Sequence, residues 1–306
     1  MDRRAWALLL TLGAIWGASY LFIKIGLRDL SPGMVAWLRV LFAAVVLIPL
    51  AARGSGMAGL RGMLWTLVLL AAIQAAGPFM LIALGEQEIS SSLAGILVCS
   101  APLFTALLAI WVDQEERSTG LRLAGIGLGF GGVVVLLGVD LSGSEAALLG
   151  GGAIVLAALG YAIGGFIVKR RLADAEPLSI AAAVMAASTI LLAPVGLATL
   201  PGSSPGLGPL AAVAALGLVG TGVAFAIFYS LIGMVGPART FIVTYIAPAF
   251  AVGYGAWFLD ERVTVATIAG LALIVGGSWL AAGGGSAAEE PAPGAVAEVP
   301  VGDQSP

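Results

Sequence analysis

One arginine stands well inside the second apolar stretch of this chain: Arg39, seven residues past Pro32. A charge at that depth in a hydrocarbon layer is costly unless it snorkels, pairs, or faces water or a ligand. Its planar fork leaves three outcomes open. It can reach the nearby outer interface, pair with Glu86 or Glu88 at the end of the third stretch, or take a substrate carboxylate through two parallel hydrogen bonds. Aromatic residues lie inside the apolar stretches and not only at their ends: Trp16, Tyr20, Trp37, Phe79, Tyr161, Phe225, Tyr229 and Tyr245. Buried Tyr and Trp need hydrogen-bond partners, so several of these are expected to face a wet cavity. Trp16 and Tyr20 are one turn apart on one face, as are Phe225 and Tyr229. Either pair could wall an apolar side chain, although such spacing also serves ordinary packing.

Polar groups able to orient a ligand are Gln74, Ser100, Ser188, Thr221 and Thr244. Gln74 precedes Gly77-Pro78, and Pro78 has no N–H, so a carbonyl near position 74 is freed. Broken backbone of this kind is tolerated in a membrane where it lines a cavity. Pro102 and Pro248, both inside apolar stretches, are expected to act as kinks or gating hinges, with Pro78 as a third. The expected substrate-contact set is therefore Trp16, Tyr20, Arg39, Gln74, Phe79, Ser100, Tyr161, Phe225, Tyr229 and Tyr245.

Other chemistries are poorly supplied. There is no histidine and one cysteine, Cys99. The imidazole base, proton relay and metal ligand are missing, as is any disulfide or thiolate cluster. No cofactor or metal is expected. No G-x-x-x-x-G-K-[ST] occurs, so ATP is not the direct driver. No basic domain or aromatic-interleaved basic stripe suggests nucleic acid. Acidic residues avoid the central half of every apolar stretch. Facilitated diffusion or exchange is favoured, with Glu86 or Glu88 left as an outer-face route for proton coupling. Two other classes stay open: a membrane-embedded lipid-modifying enzyme, which needs clustered acids or metal ligands on one membrane side, and a non-transporting membrane subunit.

The elements that must position these groups follow from composition. Of 306 residues, 60% are hydrophobic and 10% charged, with net charge −3, and mean hydropathy is +1.07. A water-soluble domain carries about 25% charged residues, so lipid is the solvent. Apolar runs near 20 residues, enough to span hydrocarbon, occur at about 5–25, 32–52, 63–84, 91–112, 120–138, 146–168, 177–200, 208–232, 238–259 and 264–282. The expected fold is all-α integral membrane with ten transmembrane helices. The first run is taken as a retained helix rather than a cleaved signal.

With the N-terminus inside, ten basic residues fall on the cytoplasmic side: Arg3, Arg4, Arg53, Arg61, Arg117, Arg122, Lys169, Arg170, Arg171 and Arg239. Lys24, Arg28 and Arg262 fall outside. This bias places both termini in the cytoplasm, as expected in a bacterial inner membrane. Segment 283–306, rich in Gly, Ala, Pro and Glu, is expected to be a disordered cytoplasmic tail. The expected partners are a small-molecule substrate and the lipid bilayer, with the protein a monomer or weak homodimer.

The chain repeats itself. Trp16–Lys24 (WGASYLFIK) matches Tyr161–Lys169 (YAIGGFIVK) at an offset of 145, as do Ser31-Pro32 with Glu176-Pro177 and Pro49 with Pro194. The offset becomes 146 for Pro102 with Pro248 and Trp111 with Trp257. It returns to 145 for Glu116-Arg117 with Glu261-Arg262 and Gly131-Gly132 with Gly276-Gly277. Five helices per unit is an odd number, so the second unit enters from the opposite side. The expected organisation is two inverted-topology repeats, 1–140 and 141–282, a natural basis for alternating access. Gly13-x-x-x-Gly17 and Gly127-x-x-x-Gly131 are expected as plain helix-packing surfaces.

At these residues the sequence resembles the drug/metabolite transporter superfamily, in its ten-helix EamA-type branch. The resemblance rests on Gly13-Ala14-Ile15-Trp16-Gly17 with Lys24, on Arg39, and on Ser100-Ala101-Pro102-Leu103-Phe104 followed by Glu116-Arg117. Gly125 to Gly132 and the echoes of these pieces in the second half complete it, over residues 5–282. It implies export of amino acids and related metabolites, through a cavity between the repeats. Position 184, the counterpart of Arg39, is Val184, and Gly77-Pro78 has no proline echo in the eighth run.

Overall fold

A computed structural model describes residues 1–54, 56–112, 120–140 and 144–282. The expected tail at 283–306 and the Glu116-Arg117 motif lie outside them. Among the described residues the chain is helical, without strands. In chain order the helices are α1 (Arg3–Gly26), α2 (Pro32–Ala51), α3 (Leu64–Glu88), α4 (Ser91–Ile110), α5 (Gly120–Gly138), α6 (Glu145–Arg171), α7 (Pro177–Ala198) and α8 (Leu207–Val235). These eight are long and apolar enough to cross a membrane. Two shorter helices follow, α9 (Val243–Phe258, 16 residues) and α10 (Val265–Ala281, 17 residues).

Helix starts are written locally. Ser31 accepts from the Met34 N–H ahead of Pro32, and Ser90 accepts from the Leu93 N–H at the head of α4. Thr264 and Thr267 form a reciprocal capping box on α10. Each satisfies donors that a helix N-terminus leaves unpaired, which matters more in lipid, where water cannot. Side chains outside the core are apolar: Val45, Val134, Leu156 and Ile190 are each more than half exposed. A face of that kind fits a lipid surrounding. Trp65 and Trp257, both 82% exposed near helix ends, suit the polar–apolar boundary.

Helix contacts join the two halves of the chain throughout. α1 packs on α9 and α8, α2 on α7 and α8, α3 on α6 and α7, α4 on α6 and α9, and α5 on α10. Small residues permit the closest approaches. A Cβ on Gly17 would lie 2.8 Å from the Ala247 carbonyl oxygen of α9. On α5 the packing face is displaced from the sequence expectation. Gly127 and Gly131 have open space, whereas Gly125 and Gly132 meet α10, Gly277 of α10 lies against the backbone of Gly129, and the Cβ direction of Gly129 faces Leu103 of α4. Several glycines compete in that run, and helical phase alone does not choose among them.

Two helices carry π-turns: Ala71–Ala76 in α3 and Leu218–Val223 in α8. The first abuts Gly77-Pro78, where the missing N–H was expected to break the helix. The second has no proline. There the Thr221 hydroxyl donates to the Leu216 carbonyl at 3.1 Å, and Gly217, Gly220 and Gly222 flank it. α4 is interrupted by a turn at residues 99–100, just before Pro102, and Pro248 sits within α9.

Candidate functional site

Arg39 projects from α2 into the interior and is 8% exposed. It neither snorkels nor pairs with Glu86 or Glu88. Its Nε donates to Thr221 Oγ1 at 3.0 Å, and its guanidinium carbon lies 3.7 Å from the centre of the Phe79 ring. The α8 π-turn explains the first contact. It turns Thr221 inward, and the hydroxyl can accept from Arg39 because its proton goes to Leu216. The second is a cation–π contact, worth about 2 kcal/mol where water is excluded. Among the described residues, no carboxylate lies within ion-pairing distance of this cation. Tyr20 of α1, Tyr161 of α6 and Glu86 of α3 lie in its neighbourhood.

The expected aromatics divide into connected groups. Phe79, Tyr161, Phe225 and Tyr229 border one buried cluster, which also touches Trp37. Tyr229 continues into a second cluster with Trp16. The rings of Trp16 and Phe228 are 5.4 Å apart, those of Phe228 and Tyr229 5.5 Å, and Phe225 stacks on Tyr229 at 6.0 Å. Tyr20 and Tyr161 both pack on a third cluster. Phe228, absent from the sequence selection, links Trp16 to Tyr229. Its spacing three residues after Phe225 was the available signal.

Other expected residues are engaged elsewhere. Gln74 lies in the α3 π-turn against Gly164 of α6, and the nearby Ala71 carbonyl accepts from Ser188 at 3.4 Å. Ser100 is fully buried and donates to Leu97 within its own helix at 2.7 Å. Tyr245 reaches the Ser278 carbonyl of α10 at 3.4 Å. Ser100 and Tyr245 thus stand apart from the Arg39 group.

At the outer-facing end of the sequence-derived orientation, Lys24, Glu86 and Glu261 occupy one neighbourhood, with Arg28 and Glu88 beside them. Lys24 donates to the carbonyl oxygens of Glu86 at 2.5 Å and Ile89 at 2.8 Å. It therefore satisfies orphan carbonyls at the end of α3. Glu261 reaches the first turn of α4. Its Oε1 accepts from the Ser91 N–H at 2.7 Å and the Ser91 hydroxyl at 2.9 Å. Its Oε2 accepts from the Ser92 N–H at 3.0 Å and the Ser92 hydroxyl at 2.5 Å. A carboxylate at a helix N-terminus also gains from the helix dipole. Asp260, with φ 53°, turns the chain so that this reach is possible. Gly255 leaves the needed space, since a Cβ there would meet both Glu261 and Ser92 at 2.2 Å. Glu86 is the third of these groups. Its carboxylate is fully buried, and neither oxygen has a hydrogen-bond partner. It borders a cavity of about 630 Å³ shared with Lys24, Glu88, Ser90 and Glu261.

The model of the EamA-like transporter family matches residues 4–138 and 148–283. A probable amino-acid metabolite efflux pump of Escherichia coli (strain K12) is 28% identical over 290 residues, covering 92% of this chain and 95% of that one. An uncharacterized inner membrane transporter of the same strain, YedA, is 29% identical over 271 residues, 87% of each chain. A crystal structure 23% identical in sequence superposes with a TM-score of 0.66, covering 92% of this chain and 97% of its own, and shares the fold.

Proposed function

The chain belongs to the EamA-like transporter family of the drug/metabolite transporter superfamily, and from that premise we propose that it is a secondary exporter of amino acids or related small metabolites, working by alternating access. The family is one of membrane transporters, which sets aside the lipid-modifying enzyme. The carrying observation is Arg39: a buried cation held by Thr221 and Phe79, with no carboxylate partner among the described residues and an aromatic wall beside it. Such a cation suits a substrate carboxylate, and the rings from Trp16 to Phe225 suit an apolar side chain.

The proposed scaffold is ten transmembrane helices in two inverted repeats, 1–140 and 141–282. Packing supports this reading. Exchanging α1–α5 for α6–α10 turns the α1–α9 contact into α6–α4, α1–α8 into α6–α3, and α2–α8 into α7–α3. The α2–α7, α4–α9 and α5–α10 contacts map onto themselves. The π-turns at 71–76 and 218–223 also correspond, 147 positions apart. Two packings related by such exchange supply outward and inward states, and a substrate biases them only by its different affinity for each. The protein is proposed to sit in a bacterial inner membrane with both termini cytoplasmic, as a monomer or weak homodimer. Pro78, Pro102 and Pro248 serve as hinges, and substrate reaches Trp16, Tyr20, Arg39, Gln74, Phe79, Tyr161, Phe225 and Tyr229. Ser100 and Tyr245 support this set through α4 and the α9–α10 contact.

The test is export from cells loaded with an apolar amino acid by dipeptide feeding. Producing the protein should lower the internal pool and relieve growth inhibition, and Arg39→Ala and Trp16→Ala should lose that relief. Equal pools with and without the protein, across a panel of amino acids and related metabolites, count against the reading.

A further inference from the structure

Glu86 is the buried carboxylate of the outer cluster, and neither of its oxygens accepts a hydrogen bond. Three of its charged neighbours are engaged elsewhere. Lys24 of α1 gives its ammonium to backbone carbonyls, Arg39 of α2 holds Thr221 and Phe79, and Glu261 is saturated by Ser91 and Ser92. Glu86 nonetheless interacts electrostatically with Lys24, Glu261 and Arg39. Leaving both oxygens of a buried carboxylate unpaired is expensive. A group kept at that cost is a place to look for a missing partner.

We propose that Glu86 receives the ammonium group of the substrate, so that Glu86 on α3 and Arg39 on α2 form a divided charge pair selecting zwitterionic α-amino compounds. Three observations carry this. Both groups are buried, neither contacts the other, and Glu86 stands two helical turns, about 10 Å, along α3 from Phe79, whose ring carries Arg39. Between two opposite charges held apart, the chemistry that fits is one molecule bearing both complementary groups. A hydroxy acid of the same shape satisfies Arg39 alone and leaves Glu86 unpaired. Sites built for a polar group reject analogues that lack it by large factors. Glu86 also borders the outer cavity, so parting of the outer ends of α3 and α4 would release the ammonium to that side.

This inference rests on the transporter reading, and the experiment separates the two. Counterflow in proteoliposomes would be measured for L-phenylalanine, its hydroxy analogue 3-phenyllactate, and N-acetylphenylalanine, with the wild type, Glu86→Gln and Glu86→Asp. The expected result is at least tenfold preference for phenylalanine over both analogues in the wild type. Glu86→Gln should collapse that ratio toward one, and Glu86→Asp should recover part of it. The wild-type comparison needs no variant to fold. Equal wild-type rates for phenylalanine and phenyllactate overturn the inference and leave a transporter. So does a Glu86→Gln protein that keeps its phenylalanine preference and loses only a response to an imposed pH gradient. No counterflow of these compounds, or of a wider metabolite panel, would defeat the transporter reading itself.

Discussion

Replacing Glu261 by glutamine should loosen the end of the transporter where α4 begins while leaving its helices in place. The carboxylate accepts four hydrogen bonds from the first turn of α4. A glutamine keeps one acceptor oxygen, so one backbone N–H loses its partner and the others lose their charge assistance. Hydrogen bonds to charged groups contribute about 1.5–3 kcal/mol against about 1 for neutral ones. Because Glu261 is only partly buried, water recovers part of the loss, and about 2 kcal/mol remains, roughly a 30-fold shift toward the parted state. The counterparts of Ser91 and Ser92 in the second repeat are Pro237 and Ala238, which have no hydroxyls, so the opposite end cannot copy this latch. The assay is labelling of a cysteine placed at Ile89, which is 4% exposed beside this latch, in a Cys99→Ala background, by a membrane-impermeant maleimide. Labelling should accelerate by about ten- to 30-fold in Glu261→Gln. An unchanged rate, with the variant folded, would refute the latch.

Arg39→Lys should cut transport at least tenfold, because an ammonium can neither stack flat on Phe79 nor present a fork to a carboxylate; a normal rate in proteoliposomes would argue against carboxylate capture. Gly277→Val should lower the thermal unfolding temperature in detergent, since its Cβ would lie 2.4 Å from the Gly129 nitrogen, at a cost of about 1–3 kcal/mol for overpacking. Gly131→Ala, with nothing within 4 Å, should not lower that temperature. Thr221→Val keeps the shape but removes the acceptor for Arg39 and the bond to Leu216, so both stability and flux should fall, by about 1–3 kcal/mol in stability. Circular dichroism melts alongside counterflow would check this pair.

Much of the architecture was legible because lipid allows few solutions. Apolar runs, Ser and Thr caps, and a proline that breaks α3 each leave a one-dimensional trace. The α8 π-turn left none, since it is held by Thr221 and glycines whose effect depends on what they pack against. The face of α5 that meets α10 was also hidden, because alternate glycines in one run offer two registers. Within the site, residue type singled out Arg39 and the aromatics, while their partners needed three dimensions: Thr221 is 182 positions from Arg39. Glu86 and Glu88 were equivalent in sequence. Only burial separates them, with Glu86 sealed and Glu88 exposed.

The most direct test of the account is counterflow into liposomes holding the purified chain, with a high internal concentration of an apolar amino acid and no nucleotide on either side. The account predicts transient accumulation of external labelled amino acid, reduced at least tenfold by Arg39→Ala. Absence of accumulation for every amino acid and related metabolite tried, with protein that is folded and inserted, would contradict it.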